Sequence, residues 1–151
     1  MIREYYYKTA DQAVMAIAAQ AQKDINFIRR RFPFRGDLNQ AFKMLKKQLT
    51  YTEDPAQVEL IQRPRTLLSK LNELGGPGYG DCDDFTTLAI SYALAHNIPA
   101  FIVLAGNGPQ PGHVYAVLYD ENEERWRKFD LTAPVIDVTN KYNHLYKVLV
   151  K

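Results

Sequence analysis

The stretch that decides the fold is Gly75-Gly76-Pro77-Gly78-Tyr79-Gly80-Asp81-Cys82-Asp83-Asp84. Apolar residues follow it at helical spacing, and Asn97 and Pro99 end the pattern. This predicts a helix over residues 83–96 that begins at Cys82. A thiol at a helix N-terminus is favoured as thiolate by unpaired amides and the helix dipole. Because it is the single cysteine, Cys82 cannot form an internal disulfide. It is either a small buried hydrophobic residue or a reactive group.

After this helix the apolar pattern changes to that of strands. The predicted strands cover residues 100–105, 113–119, 125–131 and 144–150, the last as an edge strand. The first is a continuous apolar run, and the second is rich in Val and Tyr. A group of strands that follows a group of helices indicates an α+β arrangement with an antiparallel sheet.

Before the glycine-rich stretch, the pattern is helical. Predicted helices cover most of residues 10–31, 38–49 and 65–74. Their start signals are Thr9, Asp37 with Gln40, and Pro64, and their stop signals are Phe32-Pro33 and Gly75-Gly76. We expect no strand inside residues 10–49 and the sheet after residue 99. The fold class is therefore α+β, an N-terminal helical layer packed on an antiparallel sheet.

Composition places the chain among packed globular proteins. It has 151 residues, of which 46% are hydrophobic and 24% charged, so a disordered chain is excluded. No apolar run approaches the roughly 20 residues of a membrane span, and the first five residues do not open a signal peptide, so a soluble cytoplasmic protein without a membrane partner is expected. Residues 1–70 carry 13 basic and 7 acidic side chains, yet no nucleic-acid motif accompanies them, and we expect no nucleic-acid partner.

A reactive thiol needs a base, and the chain offers three histidines. His96 lies about 21 Å along the helix from the cysteine and is too far away. His144 has no feature that directs it to the thiol, whereas His113 opens a strand. If Glu121-Asn122 form a two-residue turn, His113 faces Asp130 on the next strand.

That turn fixes the whole predicted register of the hairpin. It pairs Tyr119 with Glu124 and Val117 with Trp126. Directly paired residues have Cβ atoms about 4.5 to 5.5 Å apart, a distance that suits a carboxylate holding one imidazole nitrogen. A slip of one residue would turn the carboxylate to the other face.

These residues resemble the transglutaminase-like branch of the papain-like cysteine-enzyme fold. The resemblance rests on Gly80-Asp81-Cys82-Asp83-Asp84, Asn97-Ile98-Pro99-Ala100, Gly112-His113-Val114-Tyr115, Trp126 and Phe129-Asp130-Leu131-Thr132. It implies that Cys82 is the nucleophile, His113 the base and Asp130 the group that orients the base. It also implies acyl transfer or amide hydrolysis on a protein or peptide substrate, with no cofactor and no metal.

The resemblance covers residues 51–134 of what we expect to be one domain, residues 1–151. A helical part at 1–50 precedes this core, and an edge segment at 135–151 follows it. More narrowly, Tyr51 to Pro64 and the Gly-Asp-Cys-Asp-Asp form are similar to small proteins of bacteriophages and prophages. This implies phage structural proteins as partners and the host cytoplasm or the virion as the location.

Asp83 and Asp84 are the main departure that bears on chemistry, because they place negative charge beside the thiol. We expect these carboxylates to point to solvent, and we expect the helix terminus and His113 to lower the pKa of Cys82 below the ~8.5 of a free thiol. A non-catalytic phage scaffold that retains the fold is the alternative to the enzyme.

Two further assignments stay open at this point. Tyr51, Gln62 and Tyr79 are candidates for the side chain that completes an oxyanion hole. Asp81, Asp83 and Asp84 with the cysteine form an acidic cluster, but zinc sites use three or four ligands at recognised spacings, so a metal site is not expected.

Overall fold

The computed structural model describes residues 2–33, 35–51, 61–68, 78–107, 112–139, 142 and 144–150. Its helices are α1 (Ile2–Lys23), α2 (Ile25–Arg31), α3 (Leu38–Lys46), α4 (residues 64–68) and α5 (Cys82–Ala95). Its strands are β1 (Leu49–Tyr51), β2 (Gly78–Gly80), β3 (Ala100–Gly106), β4 (His113–Asp120), β5 (Arg125–Phe129) and β6 (His144–Val150). The fold class is α+β, as predicted.

The first predicted helix has the wrong boundaries. It begins at Ile2, so Thr9 lies inside α1 and is not its cap, because a cap signal marks one possible start without preventing an earlier one. The helical path is also interrupted at Asp24, where φ is −119° and ψ is 23°. The buried Asp24 carboxylate accepts hydrogen bonds from the Arg63 side chain and from the Arg65 amide at 2.9 Å, and it thereby ties the interruption to α4.

Helix α3 begins where the sequence predicts and ends earlier. Asp37 accepts a hydrogen bond from the Gln40 amide at 2.8 Å, so it caps the helix. The helix ends at Lys46, and Leu49 begins a strand that pairs in parallel with β2. The helix covers most of residues 38–49, as predicted, but the expectations of no strand inside residues 10–49 and of a sheet only after residue 99 are wrong. Three-residue strands, one of them glycine-rich, are too short to show an alternating pattern. The third predicted helix is helical at 64–68, and residues 69–74 lie outside the described residues.

The main sheet is antiparallel, and its strand order is β5-β4-β3-β6. The four strands lie where the sequence predicts them, with β6 at one edge. One face packs against α5, which is buried along nearly its whole length. The side chains of that face are Ala100, Ile102, Leu104, Val114, Ala116, Leu118 and Phe129.

The hairpin between β4 and β5 has a different register from the predicted one. Its turn covers residues 121–124, and Tyr119 pairs with Trp126, so the predicted pairs of Tyr119 with Glu124 and of Val117 with Trp126 are wrong. Asp120 accepts hydrogen bonds from the amides of Asn122 and Glu123 at 2.9 and 3.2 Å, which closes a wider turn. The register differs from the predicted one by two residues. Because side chains alternate with a period of two, each keeps its predicted face.

Within the described part of the chain, no helix combines the length and the apolar character that a membrane crossing requires.

Candidate functional site

The acidic residues around Cys82 build the start of α5. Asp81 caps the helix by accepting hydrogen bonds from the amides of Asp83 and Asp84 at 3.1 and 3.3 Å. Asp84 accepts one in return from the Asp81 amide at 3.1 Å, which completes a capping box. Cys82 is therefore the first residue of the helix, where its main-chain N–H lies among the amides that the helix leaves unpaired.

Asp84 also joins the helix start to the segment before α4. Its side chain is fully buried and accepts a hydrogen bond from the Gln62 amide at 2.7 Å and one from the Gln62 side chain at 3.2 Å. Gly80 leaves room for this arrangement, since a Cβ there would lie 2.8 Å from the Asp84 Cβ and 2.9 Å from its Oδ2. The glycine of the motif is thus required by a close approach.

The start of α5 lies against a stretch of β4 that has no partner in β5. The last paired residues of that hairpin are Ala116 and Phe129, so residues 113–115 extend beyond β5. Here the Thr86 hydroxyl of α5 lies 2.7 Å from the Cys82 carbonyl and 3.2 Å from the Val114 carbonyl, so its proton is shared between the two. The Val114 N–H donates a hydrogen bond to the Cys82 thiol. The thiol therefore lies against the main chain of the residue that follows His113.

His113 and Asp130 lie close together on the sheet face opposite α5. His113 Nε2 is 2.7 Å from Asp130 Oδ2. The observed pairing of β4 with β5 ends at Ala116 and Phe129, so the predicted direct cross-strand pair of His113 with Asp130 is wrong, although the two side chains still contact each other. Since Nε2 is used by Asp130, Nδ1 is the ring nitrogen left for a second partner.

Asp130 is held as a carboxylate although it is 4% exposed. Its Oδ1 accepts hydrogen bonds from the Thr132 amide at 3.0 Å and from the Thr132 hydroxyl at 2.7 Å. Burial alone would raise the pKa of Asp130, but the hydrogen bond and charge of His113 and the two bonds from Thr132 outweigh it and leave the pKa below its ordinary value.

The thiol itself is not activated in the resting structure. Burial first, and then the negative charges of Asp83, Asp81 and Asp130, raise the pKa of Cys82 to about 12 despite the hydrogen bond from Val114. The expectation of a pKa below that of a free thiol is therefore wrong. That expectation assumed that the Asp83 and Asp84 carboxylates point to solvent, and it did not include the desolvation of the sulfur.

Several neighbours of the site were missed at the sequence level. The His113 ring stacks on Tyr142 with centroids 6.4 Å apart and an interplanar angle of 23°, and it lies 5.8 Å from the Tyr115 ring. The Lys128 ammonium lies 4.4 Å from the Tyr115 centroid and 5.8 Å from that of Tyr142. Two signals were available, because Tyr115 and Lys128 are each two residues from a candidate site residue and so share its face.

Of the oxyanion-hole candidates, Tyr51 and Tyr79 lie on the paired strands β1 and β2, and Gln62 contacts the start of α5. Tyr51 is 50% exposed and packs edge-on against Phe85, with centroids 6.0 Å apart. Gln62 donates to Asp84, and the side chain of Tyr79 lies outside the described residues. Among the residues that the structure describes, no group of three or more His, Cys, Asp or Glu side chains is arranged to hold a metal ion.

Comparisons with known proteins add information on the fold. A protein from Parabacteroides distasonis, provisionally described as a protease, matches with a TM-score of 0.54 and 10% identity over 83% of this chain and 30% of its own. One from Cytophaga hutchinsonii, provisionally described as a cysteine protease, matches with a TM-score of 0.51 and 14% identity over 85% of this chain and 50% of its own. The chain therefore shares the α+β fold of these two structures over most of its length.

A third structure, described as a TGase, matches with a TM-score of 0.41 and 19% identity over 87% of this chain and 35% of its own. This chain therefore spans half or less of the length of these three structural neighbours. No family model matches the sequence, and no curated protein matches it either.

Proposed function

We propose that this protein is a transglutaminase-like cysteine enzyme that performs acyl transfer or amide hydrolysis with Cys82, His113 and Asp130. The observation that carries the proposal is the hydrogen bond between His113 and Asp130 at the end of β4, where the next amide, that of Val114, binds the Cys82 thiol. The helix N-terminus at Cys82 and the fold shared with proteins provisionally described as proteases support it.

In the proposed reaction, the proton of the thiol moves to His113 Nδ1 as Sγ attacks the carbonyl carbon of an amide or ester. The C–S bond forms, and the carbonyl oxygen becomes an oxyanion near the Cys82 amide. The imidazolium then gives its proton to the leaving amine or alcohol as that bond breaks, and a thioester remains on Cys82. Water or an amine attacks the thioester, His113 takes the proton of the attacking group, and the thiolate leaves and recovers that proton.

Asp130 has a supporting role in this scheme. As a carboxylate it accepts the Nε2–H of His113, which leaves Nδ1 as the basic nitrogen and stabilises the imidazolium that forms. Because the resting pKa of Cys82 is about 12, the thiol is protonated at neutral pH. We propose that proton transfer to His113 accompanies the attack.

Acylation by 4-nitrophenyl acetate tests the proposal without knowledge of the natural substrate. We expect a burst of one 4-nitrophenolate per chain, with a mass increase of one acetyl group that Cys82→Ser abolishes. His113→Ala should slow the burst about 100-fold or more, and Asp130→Asn should slow it less. Asp120→Asn is the matched control, since Asp120 is also 4% exposed but lies at the other end of β4.

A burst of equal rate in the wild type and His113→Ala would contradict the proposal, because any exposed thiol reacts slowly with an activated ester. That outcome favours the second candidate, a non-catalytic structural protein of a phage that retains the fold. Burial and the neighbouring carboxylates raise the pKa of Cys82, which fits a thiol that has no catalytic turnover. Cosedimentation with assembled virion proteins would then be the measurement that distinguishes it.

The fold fits a protein or peptide substrate, and we infer that class of acyl donor. We also propose that residues 1–151 form one domain with its core at residues 51–134. We propose the host cytoplasm or the virion as the location of the protein. Limited proteolysis followed by mass spectrometry tests the domain assignment, since a separate helical part would be released by cleavage near residue 50.

A further inference from the structure

Lys46 joins the helical layer to the turn that carries Asp130. The side chain leaves the last turn of α3, and its Nζ donates a hydrogen bond to the Leu131 carbonyl at 2.7 Å. The two residues are 85 positions apart in the sequence, so nothing in the pattern around the candidate motifs indicates this contact. It is a link between the part of the chain before the core and the core itself.

The turn held by Lys46 is the one that orients Asp130. Asp130 Oδ1 accepts both of its bonds from Thr132, and Oδ2 lies on His113. Leu131 is between Asp130 and Thr132, and its side chain is 2% exposed. Fixing the Leu131 carbonyl therefore restricts the main chain between the carboxylate and the residue that holds it.

Lys46 also brings a positive charge toward a buried carboxylate. Burial lowers the pKa of Lys46, while its attraction to Asp130 acts in the opposite direction, so the two charges interact. The other groups that face Asp130 are His113 and Tyr115 from β4, Thr132 from its own turn, and Cys82 from α5. Of these, His113 and Thr132 donate hydrogen bonds to Asp130. His113 donates through a titratable imidazole, and Thr132 donates through its neutral hydroxyl and its main-chain amide.

We propose that Lys46 is a positioning residue for Asp130. By holding the Leu131 carbonyl, it fixes the turn that directs Asp130 at His113, and its ammonium group brings a positive charge to that turn. The importance of this role for catalysis rests on the proposed function, whereas the hydrogen bond from Lys46 to Leu131 and the charge of Lys46 do not.

Four lysine variants separate the parts of this role. Lys46→Met removes the donor and the charge, Lys46→Gln keeps a donor without charge, and Lys46→Arg keeps both. Lys43→Met is the matched control, because Lys43 lies on the same helix and is exposed. The first readout is the titration of the Asp130 carboxyl carbon by NMR, assigned with Asp130→Asn. The second is the acylation rate with 4-nitrophenyl acetate.

We expect Asp130 to titrate at higher pH in Lys46→Met and Lys46→Gln, since a neutral side chain stabilises the carboxylate less. Lys46→Arg and Lys43→Met should titrate like the wild type. Acylation should be about tenfold slower in Lys46→Met, because a displaced carboxylate no longer directs the imidazole. The fall should be smaller in Lys46→Gln and absent in Lys43→Met.

If Lys46→Met and Lys43→Met titrate alike, the proposal is wrong even when the acylation rate differs. An absent burst in the wild type would overturn the proposed function, whereas the carboxyl titration would still decide the role of Lys46. If Lys46→Met does not unfold cooperatively, the Asp130 titrations of Lys46→Gln and Lys46→Arg are compared instead, and equal titrations contradict the proposal. Failure of all three variants to fold would mean that Lys46 has a general structural role, which contradicts the proposal.

Discussion

The two ends of strand β4 each bury a carboxylate, and they hold it by different chemistry. At the hairpin end, Asp120 lies 2.9 Å from the guanidinium of Arg127, which is itself 4% exposed and also binds Asp137 and Glu123 at 2.5 Å. At the other end, Asp130 is held by His113 and Thr132. The first carboxylate has a partner with a permanent charge, and the second has a partner that can exchange a proton.

Both carboxylates are ionised more readily than usual, which makes the contrast informative. Burial would raise the pKa of Asp120, yet the amides of Glu123 and Asn122 and the Arg127 guanidinium together lower it. The pKa of Asp130 is also lowered, but by different groups, namely His113 and Thr132. A depressed pKa therefore does not separate a structural cluster from a candidate site, whereas the identity of the partner does.

The largest effect on stability is expected at the hairpin end. Arg127→Met should lower the free energy of unfolding by about 3 kcal/mol, because it leaves the Asp120 carboxylate buried without its cation. Chemical denaturation measures this. Arg125→Met is the control, since Arg125 is 53% exposed, and its substitution should change stability by less than about 0.5 kcal/mol. If acylation per folded molecule also fell in Arg127→Met, the two ends would not be independent.

The end of β4 near the Cys82 thiol should instead be sensitive to steric crowding. Gly80→Ala places a Cβ 2.8 Å from Asp84 and should lower stability by about 2 kcal/mol and slow acylation, because the start of α5 must move. Gly112→Ala is the matched control. A Cβ there has no atom within 4 Å, so stability and acylation should both stay close to the wild type. Equal behaviour of the two variants would show that the close approach at Gly80 is not required.

A smaller change tests how Asp130 is held. Thr132→Val removes the hydroxyl that donates to Asp130 at 2.7 Å and should lower stability by about 1 kcal/mol at pH 7. Because the folded pKa of Asp130 is depressed, its stabilisation is present above the unfolded pKa of about 3.9 and is lost as pH falls through the folded value. The difference between the wild type and Thr132→Val should therefore shrink below about pH 4, as urea denaturation at several pH values would measure. A difference that is constant with pH would exclude this cause.

The smallest effect concerns the charge beside the thiol. Asp83→Asn should lower the pKa of Cys82, because Asp83 is the strongest of the charges that raise it. Alkylation by iodoacetamide at pH 8 should become about threefold faster, since the gain in thiolate is partly offset by its weaker nucleophilicity. Asp37→Asn removes the same charge at the start of α3 and keeps a good cap, so it should leave the rate unchanged. Slower alkylation in Asp83→Asn would mean that Asp83 has a different role.

The sequence predicts most of the fold where patterns are long. The helix from Cys82 and the four strands of the main sheet follow from apolar periodicity over seven or more residues, or five in β5. The interruption at Asp24 and the strand at Leu49 do not, because both depend on partners far along the chain. Tertiary contacts of this kind leave no local signal.

The candidate site was predictable in part. The predicted contact between His113 and Asp130 is present, although the predicted register of the hairpin is wrong. The raised pKa of Cys82 was not predictable, since it depends on how deeply the sulfur is desolvated and on where the neighbouring carboxylates point. The role of Thr132 was visible only as part of a motif, and Lys46 was not visible at all.

The edge position of β6 has a consequence for the order in which the molecule opens. In the described part of the sheet β6 pairs with β3 alone, across a sequence separation much larger than that between β3 and β4. Joining it therefore closes a long loop, whereas the β3-β4-β5 meander forms from near neighbours. Native-state hydrogen exchange should thus release the amides of β6 at a lower free energy than those of β4. Such partial opening would detach β6 and leave β4, which begins at His113, paired with β5, which ends just before Asp130.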